Sequence, residues 1–308
     1  MVVDKVLQCP ACKASARTIS IQSNEDGGRF LHCSSCSRRF AQDKDNGFFS
    51  FFVGARQSEG SPMLQEQREG NFFTNKRFMK LCLDSLVFHV RQTLERYASK
   101  VILDVGCGTG KYALNLKDLY HQYYGLEPFS VSAEFAVDQT VFPENAVLIQ
   151  YNSTSNLPVN DDAADMMLLL ASYDHIPNPE SFMKDAYGKI KDGGYLLILC
   201  SNYNFWAKRL ANKITGKKMF QHRDTHFRVH SPDSLINEIQ SFVHLKAEYV
   251  NADFFFLPNV PKSINFLYFS INVMAFVNSL LKHIFSLLSI KDGGSGMIVV
   301  FKKDVAGK

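Results

Sequence analysis

The sequence predicts an α/β fold: a doubly wound, mostly parallel sheet of seven strands, preceded by a small module of short strands. Three observations predict it. The chain has 308 residues, 46% of them hydrophobic and 21% charged; that is enough apolar side chain for a packed core and, at roughly 150 residues per domain, enough length for two domains. From Lys100 onward, short apolar runs alternate with helix-like segments, the pattern of βαβ units whose strands are covered on both faces. Four of the seven cysteines form two CxxC pairs near the N-terminus, while Cys82, Cys107 and Cys200 stand singly. This composition excludes wholesale disorder and fibrous classes. The balance of 34 basic against 30 acidic side chains, net +4, is too mild to predict a nucleic-acid partner by itself.

The first element is the cysteine module, residues 1–57. Cys9-Pro10-Ala11-Cys12 and Cys33-Ser34-Ser35-Cys36 are separated by twenty residues, close to the spacing of a structural zinc site. Each pair forms a tight knuckle aiming two thiolates at one tetrahedral ion. Four cysteines fill the coordination sphere and leave no position for a catalytic water, so the expected Zn2+ is structural. Two redox pairs are the alternative, and they lack a βαβ context. The first ten residues carry Asp4 and Lys5 and no long apolar core, so no secretory signal is expected and the setting reads as reducing and cytoplasmic. A polar stretch at 58–75, with Gln57-Ser58-Glu59-Gly60-Ser61-Pro62 at its start, reads as a linker into an apolar-periodic helix at about 76–97. The remainder, 76–308, is the second domain.

Within it the strand candidates are 101–105, 123–126, 147–150, 166–170 and 195–199, with 245–256 and 297–302 closing the sheet as a hairpin around a long insertion. The sharpest signal is Leu103-Asp104-Val105-Gly106-Cys107-Gly108-Thr109-Gly110, between a strand and a helix that begins near Lys111. Glycines there let the backbone turn tightly and approach a ligand. A dinucleotide fingerprint reads GxGxxG, whereas this loop reads GxGxG with Lys111 at the last glycine's place, which disfavours NAD. Seventeen residues after Gly110, Glu127 ends the second strand, where an acid can accept both hydroxyls of a ribose. Loop and acid together describe an adenosine-type site.

The stretch from 100 to about 240 resembles class I S-adenosylmethionine-dependent methyltransferases, of the broad group that methylates small molecules, lipids and glycans, and implies a Rossmann-like sheet. The glycine loop matches their first motif, and Tyr124-Gly125-Leu126-Glu127-Pro128 their ribose-binding acid. Asn156-Leu157-Pro158, Asp165-Met166-Met167-Leu168 and the segment from Tyr173 to Glu180 follow in register. So do Lys191-Asp192-Gly193-Gly194-Tyr195 and His226-Phe227-Arg228-Val229-His230-Ser231-Pro232. The resemblance implies that Asp104, Gly106, Cys107, Gly108, Gly110 and Glu127 bind S-adenosyl-L-methionine, that Thr154 offers a backbone N–H to the adenine, and that Leu170 lines the methionine side. One position departs: Ser153 stands where the family places an aspartate for the adenine amino group, so either Ser153 or, after a one-residue slip, Asn152 accepts that bond. The cysteine module is similar to N-terminal zinc ribbons that precede some methyltransferase domains, including a bacterial ribosomal-RNA guanine methyltransferase with a like CPxC pair.

On the acceptor side, methyl transfer needs alignment and, where the acceptor carries a proton, a base. Asp174, His175, His222, His226 and His230 are the candidates; His175 and His226 occupy positions where the family often has histidine. Ser231-Pro232-Asp233 reads as a helix start, with His230 leading into it. Between Lys208 and His230 seven basic residues face one acid, Asp224, which favours an anionic acceptor or surface, or is a solvated face. Residues 263–281 are nineteen uncharged positions containing three asparagines and three serines. Asn265, Asn272, Ser279 and Ser286 recur every seven residues, describing an amphipathic helix in an insertion at about 260–290. Its apolar face would pack on the domain, pair in a dimer, or lie in a membrane interface beside the basic segment, as peripheral contact through 263–290. Three functions stand open: methylation of a small-molecule, lipid-linked or glycan acceptor; methylation of RNA, with Tyr203, Phe205, Trp206, Phe220 and Phe227 as stacking platforms; and a non-catalytic docking module.

Overall fold

The computed structural model describes residues 6–14, 18–44, 47–51, 76–97, 99–128, 142–151, 156–202, 205, 213, 230–250, 284 and 296–304. The expected linker and almost all of the basic and amphipathic segments lie outside the described residues, as do Ser153, Thr154, His222 and His226.

An antiparallel sheet of β1 (Ile19–Ser23), β2 (Arg29–Cys33) and β3 (Arg39–Ala41) forms the N-terminal module, followed by the two-residue β4 (Phe49–Ser50). Helix α1 (Lys76–Arg96) leads into β5 (Val101–Val105), α2 (Lys111–Asn115), β6 (Gln122–Glu127), β7 (Ala146–Gln150), β8 (Ala164–Leu170), α3 (Pro179–Lys189), β9 (Ile190–Ser201), α4 (Pro232–Glu238), β10 (Val243–Val250) and β11 (Gly296–Lys302). The large sheet runs β10-β11-β9-β8-β5-β6-β7-β4. The seven expected strands are all present, the sixth as Val243–Val250 with 251–256 of its expected range outside the described residues, and β10 and β11 pair antiparallel around the long insertion. An eighth strand joins them: β4 pairs parallel to β7, with Phe49 opposite Ile149 and Ser50 opposite Gln150. It comes from the cysteine module.

Because the parallel strands are covered on both sides, their residues are apolar without alternation: Leu103, Leu126, Ile149, Met167, Leu168, Leu169, Leu197 and Ile198 are all fully buried. Each such side chain contributes about 1.5–3 kcal/mol through burial. One face packs against Val90 and Leu94 of α1 together with Tyr112, Leu116 and Tyr120. The other face packs against Phe182, Met183 and Ala186 of α3, and into the same cluster come Leu7, Ile19, Leu31, Phe40, Phe49 and Phe51. The module and the sheet thus share one core.

The turn expected before the fifth strand is a bulge within β9. Ala164 pairs with Ile190 but Met166 with Tyr195, so residues 191–194 loop out between them. Gly193 takes φ +73, and a Cβ on Gly194 would meet the Asp165 and Lys191 carbonyl oxygens at 2.9 Å, which assigns the glycine pair to backbone geometry. The buried Lys303 closes this end of the sheet. Its Nζ donates to the Ile190 carbonyl at 2.7 Å and Asp162 Oδ1 at 2.9 Å and sits 4.8 Å from the Tyr187 ring centre. Lys303→Met leaves the buried Ile190 carbonyl without its donor and is expected to cost about 1–3 kcal/mol in chemical denaturation; the ion pairs with the exposed Asp162 and Asp192 add little. The mouth of the sheet, at the opposite strand ends, should be untouched.

Candidate functional site

In an open α/β sheet, ligands bind beyond the carboxyl ends of the strands, where the strand order reverses. Here the chain runs outward from β5 through β6 to β7 on one side and from β8 to β9 on the other, so the reversal falls at β5 and β8. The glycine loop leaves β5 at this point. Its path is fixed by two donors: the N–H groups of Gly106 and Cys107 both donate to the Leu126 carbonyl, at 2.7 and 3.2 Å. That bond pulls the loop across the end of β6. All three glycines take positive φ, +78, +56 and +75, where a Cβ is disfavoured.

What surrounds them differs. A Cβ on Gly106 would lie 2.4 Å from the Ser172 Cβ, and one on Gly110 would lie 2.5 Å from Leu148 Cδ1. Those two glycines permit close packing of the loop on β8 and β7. Gly108 has nothing within 4 Å of its would-be Cβ. Among the described residues it is the glycine of this loop that faces open space, a cradle a ligand could fill.

Two carboxylates flank the cradle. Glu127, at the end of β6 and mostly buried, accepts from the Gly108 N–H at 2.8 Å, so the acid and the loop hold each other. Asp104 lies in β5, fully buried. The Tyr123 hydroxyl donates to its Oδ2, while Oδ1 has no hydrogen-bond partner among the described residues. Burial pushes this carboxyl up to about 7, against the hydrogen bond from Tyr123 and the charge of Lys111. A buried carboxylate with an unsatisfied oxygen is costly unless something bonds it, and a cationic group or hydrogen-bond donor bound beside the loop would meet that need. The donor set and the open cradle fit an adenosine cofactor carrying positive charge.

The other wall comes from β8. Leu170 ends the strand, 6% exposed, and Ala171 takes φ +58, a strained turn of the kind that concentrates at functional sites. Its N–H donates to the Leu199 carbonyl at 2.7 Å, and the Ser172 hydroxyl donates to the Val105 carbonyl at 2.6 Å, tying the exit of β8 to that of β5. A single 3-10 turn, Tyr173–His175, follows. His175 is half-buried there.

His230, read from the sequence as leading into a helix, does so. Ser231 caps α4, accepting from the Ser234 N–H, with Pro232 at the first helical position. It also does more: it is buried with Nε2 3.7 Å from Asp174 Oδ1 and Nδ1 3.5 Å from Glu238 Oε2, and its ring lies 5.4 Å from that of Tyr173. The Tyr173 hydroxyl donates to Glu238 Oε1 at 2.8 Å, and Asn202, at the end of β9, bridges His230. A histidine between two acids at the carboxyl end of the sheet was not legible from spacing. Its partners are 56 and 8 positions away in sequence, and no short motif joins them.

In the module, the four cysteine sulfurs all lie within 4.8 Å of one another. Cys9 to Cys36 is 3.8 Å and Cys12 to Cys33 is 3.7 Å, far beyond the roughly 2.05 Å of a disulfide. A tetrahedral ion with Zn–S bonds of about 2.3 Å requires sulfurs about 3.8 Å apart, so the set fits zinc. Two matching turns produce it. The Lys13 N–H donates to the Cys9 carbonyl, and the residue after each pair, Lys13 and Ser37, takes φ near +58.

The structure therefore gathers Asp104, Gly106, Cys107, Gly108, Gly110, Glu127 and Leu170 around one switch point and brings Cys9, Cys12, Cys33 and Cys36 together elsewhere. A family model described as a methyltransferase domain matches residues 76–242. The ubiquinone biosynthesis O-methyltransferase of Serratia proteamaculans is 28% identical over 147 residues, 46% of this chain and 58% of that protein. Sterol 4-C-methyltransferase strm-1 of Caenorhabditis elegans is 26% identical over 145 residues, 45% of this chain and 43% of its own length. This chain thus spans about half the length of the curated relatives it matches. Among solved structures, a chain of a complex between the Haloferax volcanii Trm112 methyltransferase activator and a methyltransferase aligns with TM-score 0.51 at 12% identity, over 77% of this chain and 98% of that one, a likeness of fold.

Proposed function

The chain belongs to the methyltransferase-domain family, and from that premise we propose that it is an S-adenosylmethionine-dependent methyltransferase acting on a small-molecule, lipid-linked or glycan acceptor. The observation that carries the reading is the open cradle over Gly108 between two buried carboxylates, at the point where the strand order reverses. When bound there, S-adenosylmethionine supplies an electrophilic methyl group. The chain's own residues do the rest. Gly108 leaves room for the ligand, Glu127 accepts from ribose hydroxyls while it holds the loop, and Asp104 supplies negative charge behind a cationic ligand. Gly106, Cys107 and Gly110 shape the turn, Leu170 provides an apolar wall, and Ser153 and Thr154 serve the adenine.

His230, fixed between Asp174 and Glu238, is a positioning residue at the acceptor end, alongside His175 and His226 as candidates for handling an acceptor proton. Zinc in the four-cysteine module is structural in this reading, and the division into a ribbon at 1–57, a linker at 58–75 and a transferase domain at 76–308 belongs to it. Among the described residues no helix is long and apolar enough to cross a membrane, and four reduced thiols suit a cytoplasmic setting. The names of the relatives, which act in ubiquinone biosynthesis and on sterol, support an apolar or lipid-linked acceptor.

Labelled methyl transfer tests this. With methyl-labelled S-adenosylmethionine and separate lipid, glycolipid and RNA fractions, label should appear in the organic-extractable or glycolipid fraction. Label confined to RNA would overturn the acceptor class, and a zinc content far below one per chain in reduced, folded protein would discard the ribbon.

A further inference from the structure

The cysteine module does not hang beside the sheet as a separate bead. It grips the chain at the end of β7 and again at residues 158–160. On the near side, β4 pairs with the last two residues of β7, and the Phe51 N–H donates to the Gln150 carbonyl at 2.8 Å. Tyr151, next along, donates its N–H to the Glu127 carbonyl at 3.1 Å, which links this grip directly to the ribose-side acid. On the far side, Leu7 bridges Val159 antiparallel, the Gln8 N–H donates to the Pro158 carbonyl at 2.9 Å, and the Asn160 N–H donates to the Val6 carbonyl at 2.7 Å. Phe49, Phe51 and Leu7 are buried in one cluster with Ile149, Tyr151, Leu157 and Val159.

The metal site stands immediately behind both grips. Cys9 follows Leu7 by two residues, and Cys9 and Cys33 belong to that same buried cluster. A unit of about fifty residues with three short strands buries too little to hold its own shape, and such units depend on their metal for folding. From these contacts we propose that the four-cysteine module buttresses the cofactor site from behind: the bound metal fixes residues 6–9 and 49–51, which hold the end of β7 and, through the Tyr151 N–H bond to the Glu127 carbonyl, the acid at the end of β6, so metal occupancy sets cofactor affinity. The role falls on this chain's own residues Leu7, Phe49 and Phe51, and it makes zinc release a way to switch the transferase off with its sheet intact. The inference rests on the cofactor reading for the ligand but not for the mechanical coupling, and the two are tested apart.

The full chain, loaded with zinc and then stripped by chelation under reducing conditions, is titrated calorimetrically with S-adenosylhomocysteine, with hydrogen exchange followed in parallel. Stripping is expected to weaken binding at least tenfold, with zinc add-back restoring it, and to raise exchange of the 149–151 and 159–160 amides while those of β5 and β8 stay protected. Leu7→Ala, which leaves all four cysteines in place, should keep its zinc and still lose several-fold in affinity; Lys303→Met, at the other end of the sheet, should bind as the wild type does. An unchanged affinity in protein verified to be metal-free, with unchanged exchange on both flanks, overturns the proposal. Were the zinc-loaded protein to bind no ligand at all while exchange at 149–151 and 159–160 still followed the metal, the coupling would stand and the cofactor reading would be the part to fall.

Discussion

Gly108→Val is expected to lower affinity for S-adenosylmethionine and S-adenosylhomocysteine by at least a hundredfold while leaving the thermal midpoint within a few degrees of the wild type. The asymmetry follows from the surroundings of the three loop glycines. At Gly106 and Gly110 a new Cβ lands on Ser172 and Leu148, so a bulky residue there damages packing and cofactor site together, and a loss of binding would not distinguish them. At Gly108 a Cβ meets nothing within 4 Å. The cost to the fold is the positive φ of +56, which for a non-glycine residue is about 1–2 kcal/mol, less the entropy saved in the unfolded chain. The space it enters is the space the ligand needs. Differential scanning fluorimetry beside calorimetric titration measures the two effects on one sample, and unchanged affinity for Gly108→Val would move the cofactor elsewhere.

Asp104→Asn should move stability and binding in opposite directions. Burial raises the folded-state pKa of this carboxyl to about 7, from an ordinary value near 4 in the unfolded chain. The folded protein therefore holds a proton that the unfolded chain has lost, and stability from this group is fully present below about pH 4 and is lost as pH rises through 7. At about 1.4 kcal/mol per unit, the ligand-free protein should lose up to about 4 kcal/mol across that window. The asparagine carries no charge to desolvate, so the variant should be the more stable form at pH 8 and show a flatter profile. Cofactor affinity should behave in the reverse sense. An ionised Asp104 attracts a sulfonium ligand, so wild-type affinity should rise from pH 6 to pH 8, and the asparagine variant should bind more weakly, with that rise removed. Chemical denaturation and titration at four pH values decide the matter. A variant that is both less stable and equally tight-binding would assign Asp104 to packing alone.

The parts of the molecule written in local patterns were the parts legible in the sequence. Strands buried on both faces need unbroken apolar runs, so β5 to β9 could be placed from 101–105 and its successors. The tight loop needs glycine at positive φ, so Gly106, Gly108 and Gly110 announced it. Two CxxC pairs announced a metal site because four thiolates must converge on one ion. What sequence spacing could not carry was pairing over distance. The two-residue β4 is too short for any periodicity, and only its position beside β7 makes it the eighth strand. Lys303 and Asp162 are 141 positions apart, and Leu7 and Val159 meet only because the module folds against the sheet. The same holds for His230, whose surroundings come from three different connections at the carboxyl end of the sheet.

Calorimetric titration of the zinc-loaded wild type with S-adenosylmethionine and S-adenosylhomocysteine, repeated on Glu127→Gln, measures whether this switch point holds S-adenosylmethionine. The amide can still accept from the Gly108 N–H, so the loop is kept and only the charge is removed. Both ligands are expected to bind saturably and one to one, and the substitution to weaken them about tenfold or more, as where a charge-assisted hydrogen bond to the ligand is lost. No binding of either ligand to folded, zinc-loaded protein, or equal binding by wild type and Glu127→Gln, would contradict that placement.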